Sequence, residues 1–539
     1  MIKTMMLSSL SKVFSDEEPK DEILKSFSML KGERSSFELA FCSDEDLTAE
    51  VKVSGWDENN TNVYLVKEIN SDFPCYKDSD DYFLRKEAGK FPELLMPIEG
   101  KIEIKKALWY SVWVELDAAN ASSGKKELSV ELVSENQSTI DKIGVEVIDA
   151  VMPEQDLICT MWFHCDCLAT HYNVEPLSEE HWKILENYIR NAASHGINML
   201  LTPLFTPPLD TEIGGERPTV QLVDVKKDGD NYSFNFDKLK RWFELCEKCG
   251  IKYFEMSHFY TQWGALHAPK VMAEVNGKQK KIFGWSTWAG GKQYNSFLTQ
   301  LSKELVKLID EMGLRDRVYF HVSDEPSLVN YRVYKKRAEF IRSLFPDFKI
   351  IDALSDVKFF NKGVVEYPIP ANNHAESFVG KTKEFWTYYC CSQHQENVAN
   401  RFFAMPSERN RILGVQLYVY NAVGFLQWGY NFWYKQYSKG AVNPYEITDA
   451  GKAFPSGDAF VVYPAEDGTA LNSLRLKVFY DAIEDLRALK LLESKLGREK
   501  VLALIEDEAG QKITLKSYPR NQQFILNLRQ RVNAAIKEN

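Results

Sequence analysis

The sequence predicts a multidomain α/β protein with an N-terminal β-sandwich, a (β/α)8 TIM-type barrel and a short helical C-terminal tail. Three observations predict it. Over residues 1–152, short apolar runs alternate residue by residue with polar ones and are separated by turn-rich segments. From about residue 157, strand-like apolar runs alternate with amphipathic stretches, and eight such units can be counted. None carries the Gly-rich phosphate turn that would favour an open doubly wound sheet. The boundaries are placed at 1–152 (sandwich), 153–497 (barrel) and 498–539 (tail).

The sandwich strands are read at 36–41, 49–53, 109–116, 127–133 and 144–148, and Met152-Pro153 closes the region. The barrel strands are expected at 157–164, 197–205, 251–259, 318–325, 349–352, 364–369, 385–390 and 424–428. Helices are expected at 179–194, 236–249, 295–312, after Asn330, and at 474–496. Ser178 followed by Glu179 and Glu180 is a capped, acid-rich helix start. Gly196, Gly250 and Gly313 fall just past helices, where a left-handed C-cap is wanted. The tail reads as helix at 500–506 and 522–535.

Composition limits the function classes. A chain of 539 residues is too long for one ordinary core. Its net charge is −11 and it has no long basic run, which argues against a nucleic-acid partner. No stretch reaches the roughly 20 apolar residues of a membrane span. The N-terminus shows no apolar leader core, so a cytoplasmic protein with nine reduced Cys is expected. The 12 Trp, 25 Tyr and 32 Phe suit a sugar site, since pyranose C–H faces stack on aromatic rings, but most should serve the core. A small-molecule glycan is the expected partner; monomer and homodimer both fit.

In a barrel, chemistry gathers where strands end at the C-terminal face. The polar residues expected there are His164, His258, Asp324, Glu325, Tyr388 and Trp428. Asp324-Glu325 is the sharpest signal, because adjacent acids raise one another's pKa and one can then remain a proton donor. Neighbours on a regular strand face opposite ways, so both reach one pocket only where the pleat breaks; Pro326 forces Glu325 into an extended or turn conformation. Sequence neighbours rarely straddle a sugar ring as a two-carboxylate retaining mechanism requires. They suit a mechanism in which the substrate's own 2-acetamido group is the nucleophile, one acid protonating the leaving oxygen and the other holding the acetamide nitrogen.

Phe320-His321-Val322-Ser323-Asp324-Glu325-Pro326 resembles the catalytic strand of family 123 glycoside hydrolases, the bacterial β-N-acetylgalactosaminidases. Segments 424–431, 455–464 and 474–485 resemble that family too. The resemblance implies a retaining exo-β-N-acetylgalactosaminidase, with Glu325 as general acid/base and Asp324 orienting the acetamide. Family members are often exported, and the N-terminus here departs from that pattern, which favours an imported oligosaccharide as substrate. Alternatives are a β-N-acetylglucosaminidase, another barrel glycosidase, or a non-catalytic carbohydrate-binding protein.

Further substrate-binding candidates are Tyr388 on the acetamide oxygen, Trp428 as pocket floor, His164 and His258 on hydroxyls, Trp288 as a cap, and Asp458 from a loop folded over the site. Arg475 is read as a structural ion-pair partner. No cofactor and no metal are expected. Cys246-Glu247-Lys248-Cys249 lacks a second CxxC and ends a helix, and His164-Cys165-Asp166-Cys167 is read as alternating faces on a strand.

Overall fold

A computed structural model describes residues 1–539. The N-terminal region is two five-stranded sheets packed face to face. Its alternation is seen most directly in the antiparallel pair Gly124–Val133 and Ser138–Val151. Leu128, Val130 and Leu132 point inward from one strand and Ile143, Val145 and Val147 from the other, all buried in a shared core. Five strands beyond those read from the sequence complete the sheets: Ile2–Ser8, Ser26–Lys31, Thr61–Ser71, Gly89–Pro97 and Ile102–Ile104.

Eight parallel strands form the barrel: Ile158–Met161, Met199–Thr202, Tyr253–Met256, Val318–Phe320, Lys349–Ala353, Tyr367–Ile369, Trp386–Tyr388 and Gly424–Gln427. The first pairs with both the second and the eighth. The sixth and seventh close the ring at Ala371 and Tyr388, where Asn372 N donates to Tyr388 O at 2.8 Å. The paired strands are shorter than the apolar runs that announce them, because the runs continue past the last ladder bond into buried loops. The first run illustrates this. Its expected strand continues to His164, but pairing stops at Met161, and Cys165–His171 is a helix with His164 at its N-cap. Cys165 and Cys167 therefore do not alternate on a strand; Asp166 sits in the first helical turn, paired with Arg217.

The helices follow the sequence signals. Glu179–Ala193 is capped by Ser178, whose hydroxyl accepts from His181 N at 3.2 Å. Asp237–Cys249 ends on Gly250 at φ 100°, a conformation that favours glycine. Close approach matters at Gly424, where a Cβ would meet the Trp386 ring at 2.2 Å. A four-stranded sheet (Asp224–Asp228, Asn231–Asn235, Val271–Val275, Lys278–Phe283) is inserted in the loops after the second and third barrel strands.

The long helix Leu474–Leu496 joins sandwich to barrel. Arg475 donates to both oxygens of Glu93, at 2.9 and 2.6 Å, and to the carbonyls of Gly457 and Phe460. Lys477 reaches Glu115 at 2.8 Å, also buried. The tail helix Gln522–Glu538 adds Arg529, which bridges Glu33 and Asp485. Removing one partner of a buried pair leaves the other charge uncompensated. Arg475→Met should therefore lower unfolding free energy by about 3–5 kcal/mol in a urea titration; a loss of only about 0–1 kcal/mol, as for an exposed pair, would show that this contact does not lock the two layers together.

Candidate active site

The fourth barrel strand ends at Phe320, and the next five residues are held by neighbouring loops. Val322 N donates to Asp352 Oδ1 at 3.0 Å, Ser323 Oγ to Thr261 O at 2.8 Å, and Glu325 N to Ala353 O at 3.1 Å. Trp263 N donates to Asp324 O at 2.9 Å. Glu325 adopts φ 41°, a left-handed conformation costly for a residue with a side chain. This is the expected break in the pleat, and it places Asp324 and Glu325 on the wall of one cavity.

That cavity, about 180 Å³, lies at the C-terminal ends of the barrel strands. Its wall includes Trp162, Trp263, Trp428, Tyr388 and Phe454, with Asp210, Gln262, Asp324, Glu325, Ser392 and Gln436 as polar side chains. A larger cavity of about 590 Å³ lies between the N-terminal segment and the tail helix, away from the strand ends, and is lined mostly by polar and charged side chains. Burial and the adjacent Glu325 push the Asp324 pKa well above the ordinary carboxylate range. Tyr388 donates to Glu325 Oε1 at 2.5 Å rather than pointing freely into the pocket.

Beneath the pocket is a buried polar cluster. His321 Nε2 lies 2.5 Å from Glu255 Oε1, and Nδ1 lies 3.1 Å from Asp352 Oδ1. Only the imidazolium donates from both nitrogens. Burial opposes that charge, but Glu255 and Asp352 override it and raise the pKa to about 9. Glu255 also accepts from Thr160 Oγ1 at 2.7 Å and Trp162 Nε1 at 2.8 Å, and Tyr334 donates to Asp352. His258 stacks on His321 with centroids 4.1 Å apart. His258, His321 and Asp352 have the spacing of a metal site, yet hydrogen bonds to carboxylates occupy both nitrogens of His321 and leave it no lone pair for a metal.

The pocket thus unites four of the eight site residues expected from sequence: Asp324, Glu325, Tyr388 and Trp428. The other four lie outside its lining. His164 is buried behind Trp428, with Nε2 on the Trp428 carbonyl at 3.0 Å and Nδ1 facing Arg217. His258 lies in the cluster below. Asp458 is buried rather than folded over the site; its Oδ2 accepts from Trp428 Nε1 at 2.9 Å, and burial raises its pKa to about 7. Trp288 is exposed and lies over the Arg337 guanidinium at 5.5 Å.

Asp210, Gln262 and Trp263 were not singled out from the sequence, because they occupy long loops with no periodic signal. Burial raises the pKa of Asp210 to about 6. Glu255 and Asp352 did carry a signal, since each is a lone acid inside an apolar barrel strand, Tyr253–Met256 and Lys349–Ala353.

The catalytic-domain model of glycoside hydrolase family 123 matches residues 162–492. The chain belongs to glycoside hydrolase family 123. That range contains every residue of the pocket wall, and the acids at 324 and 325 fall inside it. A family 123 glycoside hydrolase from Clostridium perfringens, studied for glycolipid glycan hydrolysis, is 17% identical with a TM-score of 0.74, covering 100% of this chain and 98% of that one. Its likeness shows a shared fold across sandwich, barrel and tail. β-Glucuronidase 3 of Bacteroides uniformis is 12% identical at a TM-score of 0.30, covering 89% of this chain and 52% of its own, too distant to inform the site. No curated protein sequence matches the chain.

In this family 123 member the His321 charge has a measurable consequence. A His pKa raised from the ordinary value to about 9 stabilises the fold fully below the unfolded pKa, about 6.5, and loses that contribution as pH rises through about 9. The stability gap between wild type and His321→Gln should therefore be largest below pH ~6.5 and shrink towards pH ~9. Denaturant titrations across that range check it; a gap that is constant or widens with pH contradicts a cationic His321.

Proposed function

We propose that this glycoside hydrolase is a retaining exo-β-N-acetylgalactosaminidase that uses the substrate's 2-acetamido group as nucleophile. The observation carrying the proposal is the pocket wall shared by the adjacent carboxyls of Asp324 and Glu325 across a left-handed residue. Glu325 protonates the glycosidic oxygen as the C1–O bond breaks, while the acetamide oxygen bonds to C1 and closes an oxazolinium ring. Asp324 accepts a hydrogen bond from the acetamide N–H and holds it towards C1. Glu325 then removes a proton from water, the water oxygen attacks C1 and the ring opens, with net retention. Tyr388 orients Glu325, and Trp428, held by Asp458, forms the floor under the sugar. Sequence neighbours rarely straddle a sugar ring, so this route suits the Asp324-Glu325 pair better than double displacement between the two does.

A second reading rests on Asp210, a further carboxyl in the same wall. As an enzyme nucleophile paired with Glu325, it would support conventional retention on sugars with a plain 2-hydroxyl.

Two variants test the assignment. Glu325→Gln should lose about 10²–10⁴-fold in kcat on a disaccharide, the usual contribution of general acid catalysis, and far less on a nitrophenyl glycoside, whose leaving group needs little protonation. Asp324→Asn should lose about 10²–10³-fold on 2-acetamido substrates of either kind, because an amide cannot balance the oxazolinium charge. A thiazoline analogue of that ring should inhibit strongly. Near wild-type cleavage of a disaccharide by Glu325→Gln would remove Glu325 from the role. A panel of galacto and gluco 2-acetamido glycosides checks the epimer assigned.

A further inference from the structure

The mouth of the pocket carries two aromatic residues in an unusual backbone state. Trp263, in the loop after the third barrel strand, has φ 60°; Tyr437, after the eighth, has φ 61°. Left-handed backbone is strained for residues with bulky side chains and persists only where the surroundings enforce it. Here each is tied to the acidic wall through its main-chain N–H: Trp263 N to Asp324 O at 2.9 Å, and Tyr437 N to Asp210 Oδ2 at 2.9 Å. Asn330 holds the Trp263 carbonyl from the opposite side at 2.8 Å. The two rings stand edge to face, 5.8 Å apart at 88°.

Trp263 is nevertheless 40% exposed, while Trp162 on the same cavity wall is buried. The fold thus fixes a large apolar ring at the pocket rim without covering it. The covering chemistry follows from the reaction. If the terminal sugar enters the pocket, its leaving group must extend through the mouth, past these rings. A pyranose offers an apolar C–H face of matching size and hydroxyls that remain in water.

We propose that Trp263, braced by Tyr437, is the leaving-group subsite of this enzyme and stacks on the first sugar ring beyond the scissile bond. The inference rests on the exo-hexosaminidase reading above. It predicts a preference for sugar over simple alkyl leaving groups, so the natural substrates are glycans at least two sugars long. The N–H bond from residue 263 to Asp324 is made by main chain, so changing the side chain leaves that tether in place.

The test compares kcat/KM on a β-linked 2-acetamido-2-deoxygalactosyl-galactose disaccharide with that on the corresponding methyl glycoside. Both have alcohol leaving groups, so chemistry changes little between them and the ratio reports the subsite. Trp263→Ala should lower the ratio roughly tenfold, the scale of one aromatic contact. Trp263→Asn, whose side chain tolerates left-handed backbone, should lower it equally while retaining the wild-type melting temperature. Equal losses on both substrates in both variants would mean that Trp263 only supports the loop, and would overturn the subsite. A wild-type ratio no greater than that of the variants would do the same. A wild type inactive on both substrates would instead overturn the parent reading, and the subsite with it.

Discussion

The charge on His321 is the constraint on which the site depends. An imidazolium with no solvent contact is sustained only because carboxylates face both its nitrogens. Those carboxylates, Glu255 and Asp352, in turn draw donors from Thr160, Trp162, Val322 and Tyr334. The cluster therefore ties the first, third, fourth and fifth barrel strands to the helix Tyr331–Leu344. Its outermost bond, Val322 N to Asp352, lies two residues before Asp324. Partial satisfaction would be worse than an apolar core, so the cluster holds one arrangement and fixes the start of the segment that carries Asp324 and Glu325.

From that fixed point the chain can afford strain. Asp210, Trp263, Glu325 and Tyr437 all contribute to the pocket or its mouth and all have positive φ, each costing of order 1–3 kcal/mol. The regular barrel and its buried polar core offset those costs. Glu325 shows what the strain achieves, since an extended residue there would turn one of the two carboxyls away. Trp428 shows the complementary device. It needs no strain, because Asp458 and the His164 contact to its carbonyl hold it from behind.

Much of the architecture is legible in the sequence because it follows from periodicity. The helix Leu474–Leu496, the Ser178 cap and the turn from two-residue to barrel alternation each have a local cause. The inserted sheet has one local cause in the sequence, Asn276-Gly277, both at positive φ between Val271–Val275 and Lys278–Phe283, a strong hairpin signal. The Asp324-Glu325 pair stands out because adjacent carboxylates at a strand end are costly to bring together. His164, His258 and Asp458 have the right residue types near the right strand ends, yet side-chain direction sends them behind or below the pocket. Asp210 and Trp263 could not be found from pattern, because long loops placed by tertiary contacts bring them to the wall.

In substrate-assisted catalysis no enzyme carboxylate bonds to the sugar. Incubation with an activated 2-deoxy-2-fluoro galactoside, which lacks the acetamide and stabilises any glycosyl-enzyme, followed by intact-protein mass spectrometry, tests it most directly. Substrate-assisted catalysis predicts the mass of the unmodified chain throughout. A stable glycosyl adduct, mapped to Asp210 or any other carboxylate of the pocket, would contradict it.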